Sequence, residues 1–340
     1  MSPAVVNHLK GQRLIALAVF TADVRDDVVA ARLGDGHFVV PRGDAPGYAD
    51  RVLDIVRRHD IAVVVPWSDE EAYALARVAD EFRTAGATVL ASPRDCLELI
   101  ADKEATYRHL AAAKIAVPEY RIVEDAAAFE QAAKTFGYPK RSIVVKPVKG
   151  RGGRGMVLFE GHDSPAAWIG SGARERRVKF EGAAALGAIE IAQRSMVMPL
   201  LRAPVYDVDV LAHRGRCMAV VPRLRTNPTG IPFQGNRIVA NAVIEDYVNR
   251  IASALSLDAL HDIDVMTDDQ GEPRLLEVNP RPSGSLIASL VAGVPLLEAA
   301  IAKTQGLEID IPRIRSDIDV ARIDQAVVTS RGCRKEAGAP

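Results

Sequence analysis

The N-terminal part of the chain alternates between short apolar runs and amphipathic segments, and this alternation is the strongest constraint on its fold. The apolar runs predict strands at residues 13–20, 37–41, 61–66 and 87–92. The amphipathic segments predict helices at residues 48–60 and 68–86, and Ser68 with the acidic turn after it is typical of a helix start. Strands that alternate with helices in this order indicate a doubly wound α/β domain with a parallel sheet.

From Asp102 onward the pattern changes. Helices are predicted at residues 102–114, 244–257 and 285–303, and strands at residues 142–145, 156–159, 196–201, 206–213 and 216–222. Residues 262–279 predict a hairpin that turns at Asp269-Gln270-Gly271. The Ala- and Gly-rich residues 161–187 fit a helix or a loop, and the residues from Ser330 onward predict a frayed tail.

Composition and charge restrict the class of protein. The 340 residues carry 43 Lys and Arg against 44 Asp and Glu, a net charge of -1 that argues against a dedicated nucleic-acid-binding protein. The apolar runs, such as residues 14–20, are too short to span a bilayer, and residues 1–10 contain no apolar signal segment. Three widely spaced cysteines fit a reducing compartment. We therefore expect a cytoplasmic protein without a nucleic-acid or membrane partner.

A basic, glycine-rich stretch, KPVKGRGGRG, occupies residues 146–155 after a predicted strand. Successive glycines allow backbone N–H groups to approach an anion, so a polyphosphate is the natural ligand. Gly150, Gly152 and Gly155 match G-x-G-x-x-G formally, but the dinucleotide fingerprint opens a helix, whereas residues 156–159 predict a strand. The alternative is a flexible basic hairpin tip or an arginine–glycine segment that binds nucleic acid.

The predicted hairpin at residues 262–279 is the second chemical feature. Because side chains alternate across a strand, Glu277 and Asn279 share one face, and Asp264 on the partner strand lies roughly opposite Glu277. Two carboxylates and an amide oxygen suit Mg²⁺, which is usually shared with substrate phosphates. Arg281 follows directly and could stabilise charge on a transferring phosphoryl group. The alternative is a solvated acidic hairpin.

Together the two hairpins form the halves of a nucleotide–metal site, and at this point the sequence resembles the ATP-grasp superfamily, especially ligases similar to the carbamoyl-phosphate synthetase large chain. The resemblance runs from about residue 61 to residue 302, in the segments VVPWSDEEAYALA, ADKEATYRHLAAAKIAVPEY, VVKPVKGRGGRGMVL, MPLLRAPVYDVDVLAHRGR and LLEVNPRPSGSLIASLVAGVP.

The resemblance implies an α/β and α+β fold. A Rossmann-like, parallel-sheet pre-ATP-grasp domain at residues 1–101 would precede a two-lobed ATP-grasp domain, with lobes at residues 102–196 and 197–329 and a flexible tail at 330–340. The N-terminus departs from the family: residues 1–12 predict a remnant helix, and residues 13–20 resemble the family's second strand. Either the first strand is missing or the given start is late.

The resemblance also implies ATP as cofactor, with Mg²⁺ or alternatively Mn²⁺. Lys103 and Lys146 correspond to the family's two ATP-binding lysines, and Lys146 is also expected to assist catalysis; apart from the family, Lys103 would be a surface lysine on a helix. The expected flap over the β and γ phosphates consists of Gly150, Arg151, Gly152, Gly153 and Gly155. The expected adenine hinge consists of Met198, Pro199 and Leu200.

One position departs from the family's nucleotide site. Val205 aligns with the glutamate that commonly holds the ribose, and Asp207 on the same strand face is expected to substitute for it. The implied metal ligands are Asp264, Glu277 and Asn279, and Arg281 is the implied catalytic contact to the γ-phosphate or acyl phosphate.

The implied substrate groups are arginines and a serine-rich turn. Arg223, Arg225 and Arg237 are expected to bind substrate carboxylates, Arg223 with a catalytic role, and the alternative for each is a surface ion pair. Ser283, Gly284 and Ser285 are expected to form a turn beside the acceptor pocket.

The expected function is an ATP-dependent carboxylate–amine ligase that works through an acylphosphate and takes a small-molecule carboxylate and an amine. A bicarbonate- or carbamate-activating enzyme and a non-catalytic ATP-binding regulatory protein are the alternatives. Lys146, Glu277, Asn279 and Arg281 are all present, which favours an enzyme. A homodimer is the common expectation for such ligases.

Overall fold

The computed structural model describes residues 2–150, 155–163, 176–178, 194–225, 235–315 and 317–321. Helices and strands alternate in the N-terminal part, and two further sheets, one of five and one of six strands, follow. The chain therefore has the mixed α/β architecture that the sequence predicts. The domain boundaries at residues 101, 196 and 329 stay predictions.

The N-terminal part contains two separate parallel strand pairs, each flanked by helices. Its elements are α1 (Pro3–Gly11), β1 (Phe20–Asp23), a 3-10 helix (Val29–Arg32), β2 (Gly36–Val39), α2 (Tyr48–His59), β3 (Val63–Val64), α3 (Asp69–Ala76), α4 (Ala79–Thr84), β4 (Thr88–Val89) and α5 (Arg94–Ile100). β1 pairs with β2 and β3 pairs with β4, both in parallel. The predicted parallel pairing is present, but in the described residues it is split between these two pairs.

Two predicted elements of this part differ from the structure. Of the predicted strand at residues 13–20, only Phe20 lies in β1. Part of the run still packs on a core: Val19 is buried and Ile15 and Leu17 pack against the same cluster, whereas Leu14 is exposed. The predicted helix at residues 68–86 is divided into α3 and α4, where Val78 leaves the helical conformation at φ -123° and ψ 24°.

The N-terminal helix and the helix start at Ser68 follow the sequence expectation. The predicted remnant helix is α1, and it buries Val5, Val6 and Leu9. Ser68 forms a capping box with Glu71 at the start of α3.

The five-stranded sheet contains the two strands that flank the glycine-rich stretch. Its elements, with the helices around it, are α6 (Lys103–Ala112), β5 (Arg121–Val123), α7 (Ala126–Thr135), β6 (Ile143–Pro147), β7 (Val157–Phe159), β8 (Arg176–Val178) and β9 (Ser195–Pro199). The strand order is β5-β9-β6-β7-β8. β6 and β7 are antiparallel, as the strand–loop–strand pattern predicts. Residues 161–187 are expected to form a helix or a loop; of them the structure describes only 161–163 and 176–178, and 176–178 form the strand β8 instead.

The six-stranded sheet is the largest layer and positions the candidate site. Its elements, with the helices around it, are β10 (Arg202–His213), β11 (Arg216–Arg225), β12 (Gly235–Ile238), α8 (Ala242–Ala254), β13 (Ala259–Thr267), β14 (Pro273–Asn279), α9 (Ile287–Val291), α10 (Leu296–Thr304) and β15 (Ile318–Ala321). The strand order is β14-β13-β10-β11-β12-β15.

The two faces of this sheet bury different side chains. On one face Val208 and Val210 of β10 pack with Val248 of α8. Asp207 and Asp209 alternate with these residues and therefore point to the opposite face. One face of β10 is therefore apolar, and the opposite face carries two buried carboxylates.

The predicted helix at residues 285–303 is two helices, α9 and α10. Gly293 between them has a positive φ of 88°, and Pro295, just before α10, has no N–H to donate. Both residues stop a helix, so the single-helix prediction was wrong. The predicted tail at residues 330–340 lies outside the described residues. Among the helices of the described residues, none has the length and apolar character needed to cross a bilayer.

Candidate functional site

Lys146 and Tyr107 meet beneath the six-stranded sheet, where α6 and β6 approach β14. Lys146 is buried, and its Nζ donates hydrogen bonds to Leu276 O at 3.1 Å and to Tyr107 Oη at 3.2 Å. Tyr107 in turn donates to the carbonyl oxygens of Leu275 and Leu276 at 2.8 and 3.0 Å. Burial, together with the charge of Lys103, lowers the pKa of Lys146 to about 8.

Lys103 enters the same site from the first turn of α6. Asp102 caps this helix by accepting a hydrogen bond from the backbone N–H of Ala105. The Lys103 Nζ donates to Gly150 O at 2.5 Å and lies 3.5 Å from Glu277 Oε2. The two predicted ATP lysines thus converge on β14 from separate elements.

The β13–β14 hairpin has the predicted register. Asp264 pairs with Glu277, and Asp262 pairs with Asn279. The neighbouring β10 adds a third carboxylate, because Asp207 pairs with Asp264. Single carboxylate oxygens of Asp207, Asp262 and Asp264 lie within 4.8 Å of one another, close enough to share one cation. We call these three residues the acidic cluster.

Burial controls the electrostatics of the acidic cluster. It raises the pKa of Asp262 to about 6 against the opposing charge of Arg281. It also raises the pKa of Asp264 well above its usual range, although Arg225 opposes it. For Asp207, the charge and hydrogen bonds of Arg225 outweigh burial and the pKa is lowered. Additional positive charge would therefore be favourable at this cluster.

Arg223 of β11 is fully enclosed by the chain, with 0% of its side chain exposed. Its Nη1 donates to Asn236 Oδ1 at 2.7 Å and to Ser285 Oγ at 2.6 Å, and its Nε lies 2.8 Å from Asp209 Oδ2. The structure does not support the predicted contact of Arg223 with a substrate. Instead Arg223 joins β10, β12 and the serine turn.

Arg225 lies two residues further along β11 and is 22% exposed. Its Nε donates to both carboxylate oxygens of Asp207 at 2.8 and 2.9 Å, and its Nη2 donates to Asp264 Oδ1 at 3.3 Å. Both oxygens of Asp207 accept hydrogen bonds from Arg225 in this structure, and Asp207 as the substitute ribose ligand stays a prediction. Val205, two residues before Asp207 on β10, is buried.

Arg281 connects the acidic cluster to the N-terminal part of the chain. It is 19% exposed, its Nε donates to Asp69 Oδ1 at 3.2 Å, and its Nη1 donates to Asp262 Oδ2 at 3.2 Å. The turn after it is tight, since the Oγ atoms of Ser283 and Ser285 lie 3.2 Å apart. A Cβ placed on Gly284 would meet no neighbour within 4 Å, so that position is open.

The remaining predicted residues lie in different environments. Met198 and Leu200 are buried, Pro199 is half-buried, and the backbone N–H of Leu200 already donates to Ser142 O at 3.0 Å. The structure does not bring Arg237 into the cluster: its guanidinium forms an exposed ion pair with Asp319.

The flap residues are described only at its two ends. Gly150 and Gly155 both have positive φ, 137° and 75°. Arg151, Gly152 and Gly153 lie outside the described residues.

Sequence reasoning missed several residues that hold this site together. Tyr107 is four residues after Lys103, so the helical period places both on one face of α6, and this signal was available. Asp262 precedes Asp264 by two residues and therefore shares its strand face. Asp69 and the buried His261, whose ring contacts Asn279 O at 3.1 Å, carry no comparable local signal.

Comparison with known proteins gives two family matches. A model described as "ATP-grasp in the biosynthetic pathway with Ter operon" matches residues 192–326, and the PylC-like N-terminal domain matches residues 4–90. The carbamoyl phosphate synthase large chain of Rubrobacter xylanophilus is 26% identical over 263 residues, which are 75% of this chain and 23% of that protein. The chain thus spans well under half the length of the curated relatives it matches.

Solved structures share the fold. N5-carboxyaminoimidazole synthetase from Staphylococcus aureus, complexed with ADP, has a TM-score of 0.64 at 15% identity, with 91% of this chain and 75% of that chain covered. The L-amino acid ligase from Bacillus licheniformis has a TM-score of 0.60 at 15% identity, with 88% and 69% covered.

Proposed function

Because this chain belongs to the ATP-grasp superfamily, we propose that it is an ATP-dependent ligase that joins a small-molecule carboxylate to an amine. The carboxylate oxygen attacks the γ-phosphorus of ATP, the bond to the β-phosphate oxygen breaks, and an acylphosphate and ADP form. The neutral amine then attacks the acyl carbon, the bond from that carbon to the phosphate oxygen breaks, the nitrogen releases a proton to solvent, and an amide or peptide bond remains. The neighbours named above are consistent with this chemistry, but the substrate pair and the reaction class are our proposal.

The observation that carries the proposal is the convergence of two lysines on one strand. Lys103 comes from α6 and Lys146 from β6, yet both side chains reach β14 beside Glu277. Two ammonium groups next to a carboxylate-rich face suit a ligand that brings its own negative charge together with a divalent cation. A nucleoside triphosphate with its metal has this combination.

The donor set of the hairpin fits Mg²⁺, with Mn²⁺ as the alternative. It is made of oxygen atoms only, and Asp264 pairs directly with Glu277 while Asn279 lies two residues further along β14. We propose that Asp264, Glu277 and Asn279 hold the ion, which would neutralise phosphate charge and polarise the phosphoryl oxygens.

The chain's own groups would bind and orient the reactants. Lys103 and Lys146 would contact phosphate oxygens, and Tyr107 would keep the Lys146 Nζ directed toward them. Arg281, which is 19% exposed beside the cluster, would stabilise charge on the transferring phosphoryl group. The loop from Gly150 to Gly155 would close over ATP and exclude water from the acylphosphate.

The test is release of ADP and phosphate from Mg-ATP, screened against amino acids singly and in pairs. Glu277→Ala is run beside Glu272→Ala, which removes an exposed carboxylate from the turn of the same hairpin. We expect turnover that requires two components, persists in Glu272→Ala and disappears in Glu277→Ala.

Two other results would favour the alternatives. Turnover that depends on bicarbonate instead of a carboxylate–amine pair would indicate a carboxylating enzyme. Binding of ATP without stimulation by any component would indicate a regulatory ATP-binding protein. A homodimer is proposed for either enzyme, and sedimentation of the purified chain measures it.

A further inference from the structure

Two arginines on one strand face have different environments. Arg223 is fully buried and held by Asp209, Asn236 and Ser285, so it has no freedom to act on a ligand. Arg225 is 22% exposed, and its guanidinium contacts Asp207 and Asp264. Both residues are arginines on the same face of β11. Of the two, only Arg225 could change its hydrogen-bond partners without opening the buried interior of the sheet to solvent.

The partners of Arg225 belong to the acidic cluster. Its guanidinium donates to Asp264, which is one of the three proposed metal ligands, and also donates to both oxygens of Asp207. Mg²⁺ binds oxygen at about 2.1 Å in a compact octahedral shell. A guanidinium whose nitrogen lies 3.3 Å from Asp264 Oδ1 would stand against that shell and repel the ion.

The cluster also keeps unused capacity for a cation. Asp262 Oδ1 is buried and has no hydrogen-bond partner among the described residues. The Nη2 atom of Arg223 is 3.7 Å away from it, beyond hydrogen-bond distance. A buried carboxylate oxygen without a hydrogen-bond partner is stabilised by any cation that reaches it.

We propose that Arg225 is a built-in counter-ion of the acidic cluster, that the metal–nucleotide complex displaces it, and that the released guanidinium binds the carboxylate of the substrate. This proposal rests on the ligase function proposed above. Before ATP arrives, Arg225 neutralises Asp207 and Asp264, which would otherwise repel each other in a buried site. When the metal takes over that task, Arg225 becomes available to an anion of matching planar geometry.

The exchange has a kinetic consequence. Metal–nucleotide must bind before the carboxylate substrate, since Arg225 is engaged until then. The carboxylate is thereby captured where the γ-phosphate is already in place, and the amine enters last. Arg225 acts in this scheme as a substrate-specificity residue for the carboxylate.

The test measures Mn²⁺ binding to the full chain without nucleotide, from the free-ion signal in electron paramagnetic resonance. Arg225→Gln removes the competing cation and should tighten Mn²⁺ binding by about tenfold or more. Arg225→Lys keeps a positive charge and should bind Mn²⁺ within about threefold of the unsubstituted chain. Arg216→Gln, an exposed position on the same strand, is the matched control and should leave the affinity unchanged.

The proposal is overturned if Arg225→Gln binds Mn²⁺ no more tightly than Arg216→Gln, or if none of the proteins binds Mn²⁺. Thermal melting shows which variants fold. If Arg225→Gln does not, Arg225→Lys decides the matter in turnover assays: a point charge cannot match a carboxylate bidentately, so its KM for the carboxylate should rise about tenfold while its KM for Mg-ATP stays the same.

The two proposals fail in different ways. Equal KM changes for carboxylate and Mg-ATP would overturn the exchange and leave the ligase function standing. Absence of ADP release with every substrate pair would overturn the ligase function, whereas the Mn²⁺ measurement requires no turnover and still reports on the exchange.

Discussion

Removing a single oxygen atom, in Tyr107→Phe, tests whether the tyrosine orients Lys146 or only fills the core. The hydroxyl donates to Leu275 O at 2.8 Å and to Leu276 O at 3.0 Å, and it accepts from Lys146 Nζ at 3.2 Å. The ring stays the same size, so the substitution creates no cavity beyond the lost oxygen. Lys146 keeps its 3.1 Å hydrogen bond to Leu276 O and is therefore not left without a partner.

The expected magnitude follows from these contacts. Loss of a buried hydroxyl that satisfies carbonyl oxygens lowers the free energy of unfolding by about 1–3 kcal/mol. With one of its two acceptors gone, the Lys146 ammonium is less well oriented toward phosphate, and ATP affinity should fall by roughly tenfold, or about 1.4 kcal/mol. Since phosphate binding and not the chemical step is affected first, KM for ATP should rise more than kcat falls.

Tyr247→Phe is the matched control for this change. Tyr247 is also buried, accepts a hydrogen bond from the backbone N–H of Leu275 at 2.9 Å and donates to Ala116 O at 2.6 Å. Among the described residues its hydroxyl makes no hydrogen bond to Lys146, so Tyr247→Phe should lose comparable stability and keep its ATP affinity. Urea denaturation and titration calorimetry with ATP measure both quantities. Equal ATP affinities of the two variants would refute an orienting role for Tyr107.

Three further predictions follow from buried charges. Arg223→Met leaves Asp209 buried without its counter-ion and should lower the free energy of unfolding in urea by about 3–5 kcal/mol, against less than about 0.5 kcal/mol for the exposed Arg216→Met; similar losses would contradict the burial argument. Burial and Lys103 lower the pKa of Lys146 to about 8. Lys146 therefore loses its charge, and ATP affinity should fall, as the pH rises through about 8, whereas Lys146→Arg stays charged and should keep a constant ATP affinity over the same pH range. Burial lowers the pKa of His261 to about 4 from 6.5; the unfolded chain therefore takes up the proton first, and stability should fall by roughly 3 kcal/mol as the pH drops from about 6.5 to about 4. The same acid loss in His261→Gln would show that another group is responsible.

Local periodicity accounts for the parts of the site that could be predicted. The pairing of Asp264 with Glu277 follows from a two-residue alternation and a turn, both visible in one stretch of sequence. The stop between α9 and α10 also has a local signal in the sequence, Gly293 and Pro295. The irregular conformation of residues 13–19 was not predictable in this way, because Ile15, Leu17 and Val19 can pack on the core whether or not their backbone joins a sheet.

Contacts between segments that are distant in the sequence account for the parts of the site that could not be predicted. Arg223 and Arg225 carry the same charge and, two residues apart on one strand, share the same face. The sequence gives no reason to assign them different roles. They differ because Asn236 and Ser285, from elsewhere in the chain, close over Arg223. Likewise, Asp69 approaches Arg281 only when the N-terminal part packs on the hairpin.

Charge balance connects the fold of this face with its proposed chemistry. Asp207, Asp209, Asp262 and Asp264 are buried on adjoining strands, and carboxylates so placed remain ionised only beside cations. Asp209 has a permanent one in the enclosed Arg223, whereas Asp207, Asp262 and Asp264 each have a partly exposed arginine beside them, Arg225 or Arg281. A site of this kind is stable without a ligand, because the arginines neutralise its carboxylates. Since these partly exposed arginines can move, the site can also accept a metal ion and an anion without a net change of buried charge. Arg225 and Arg281 would then have two roles: they neutralise the buried carboxylates of the folded sheet before the metal–nucleotide binds, and they contact the reactants afterwards.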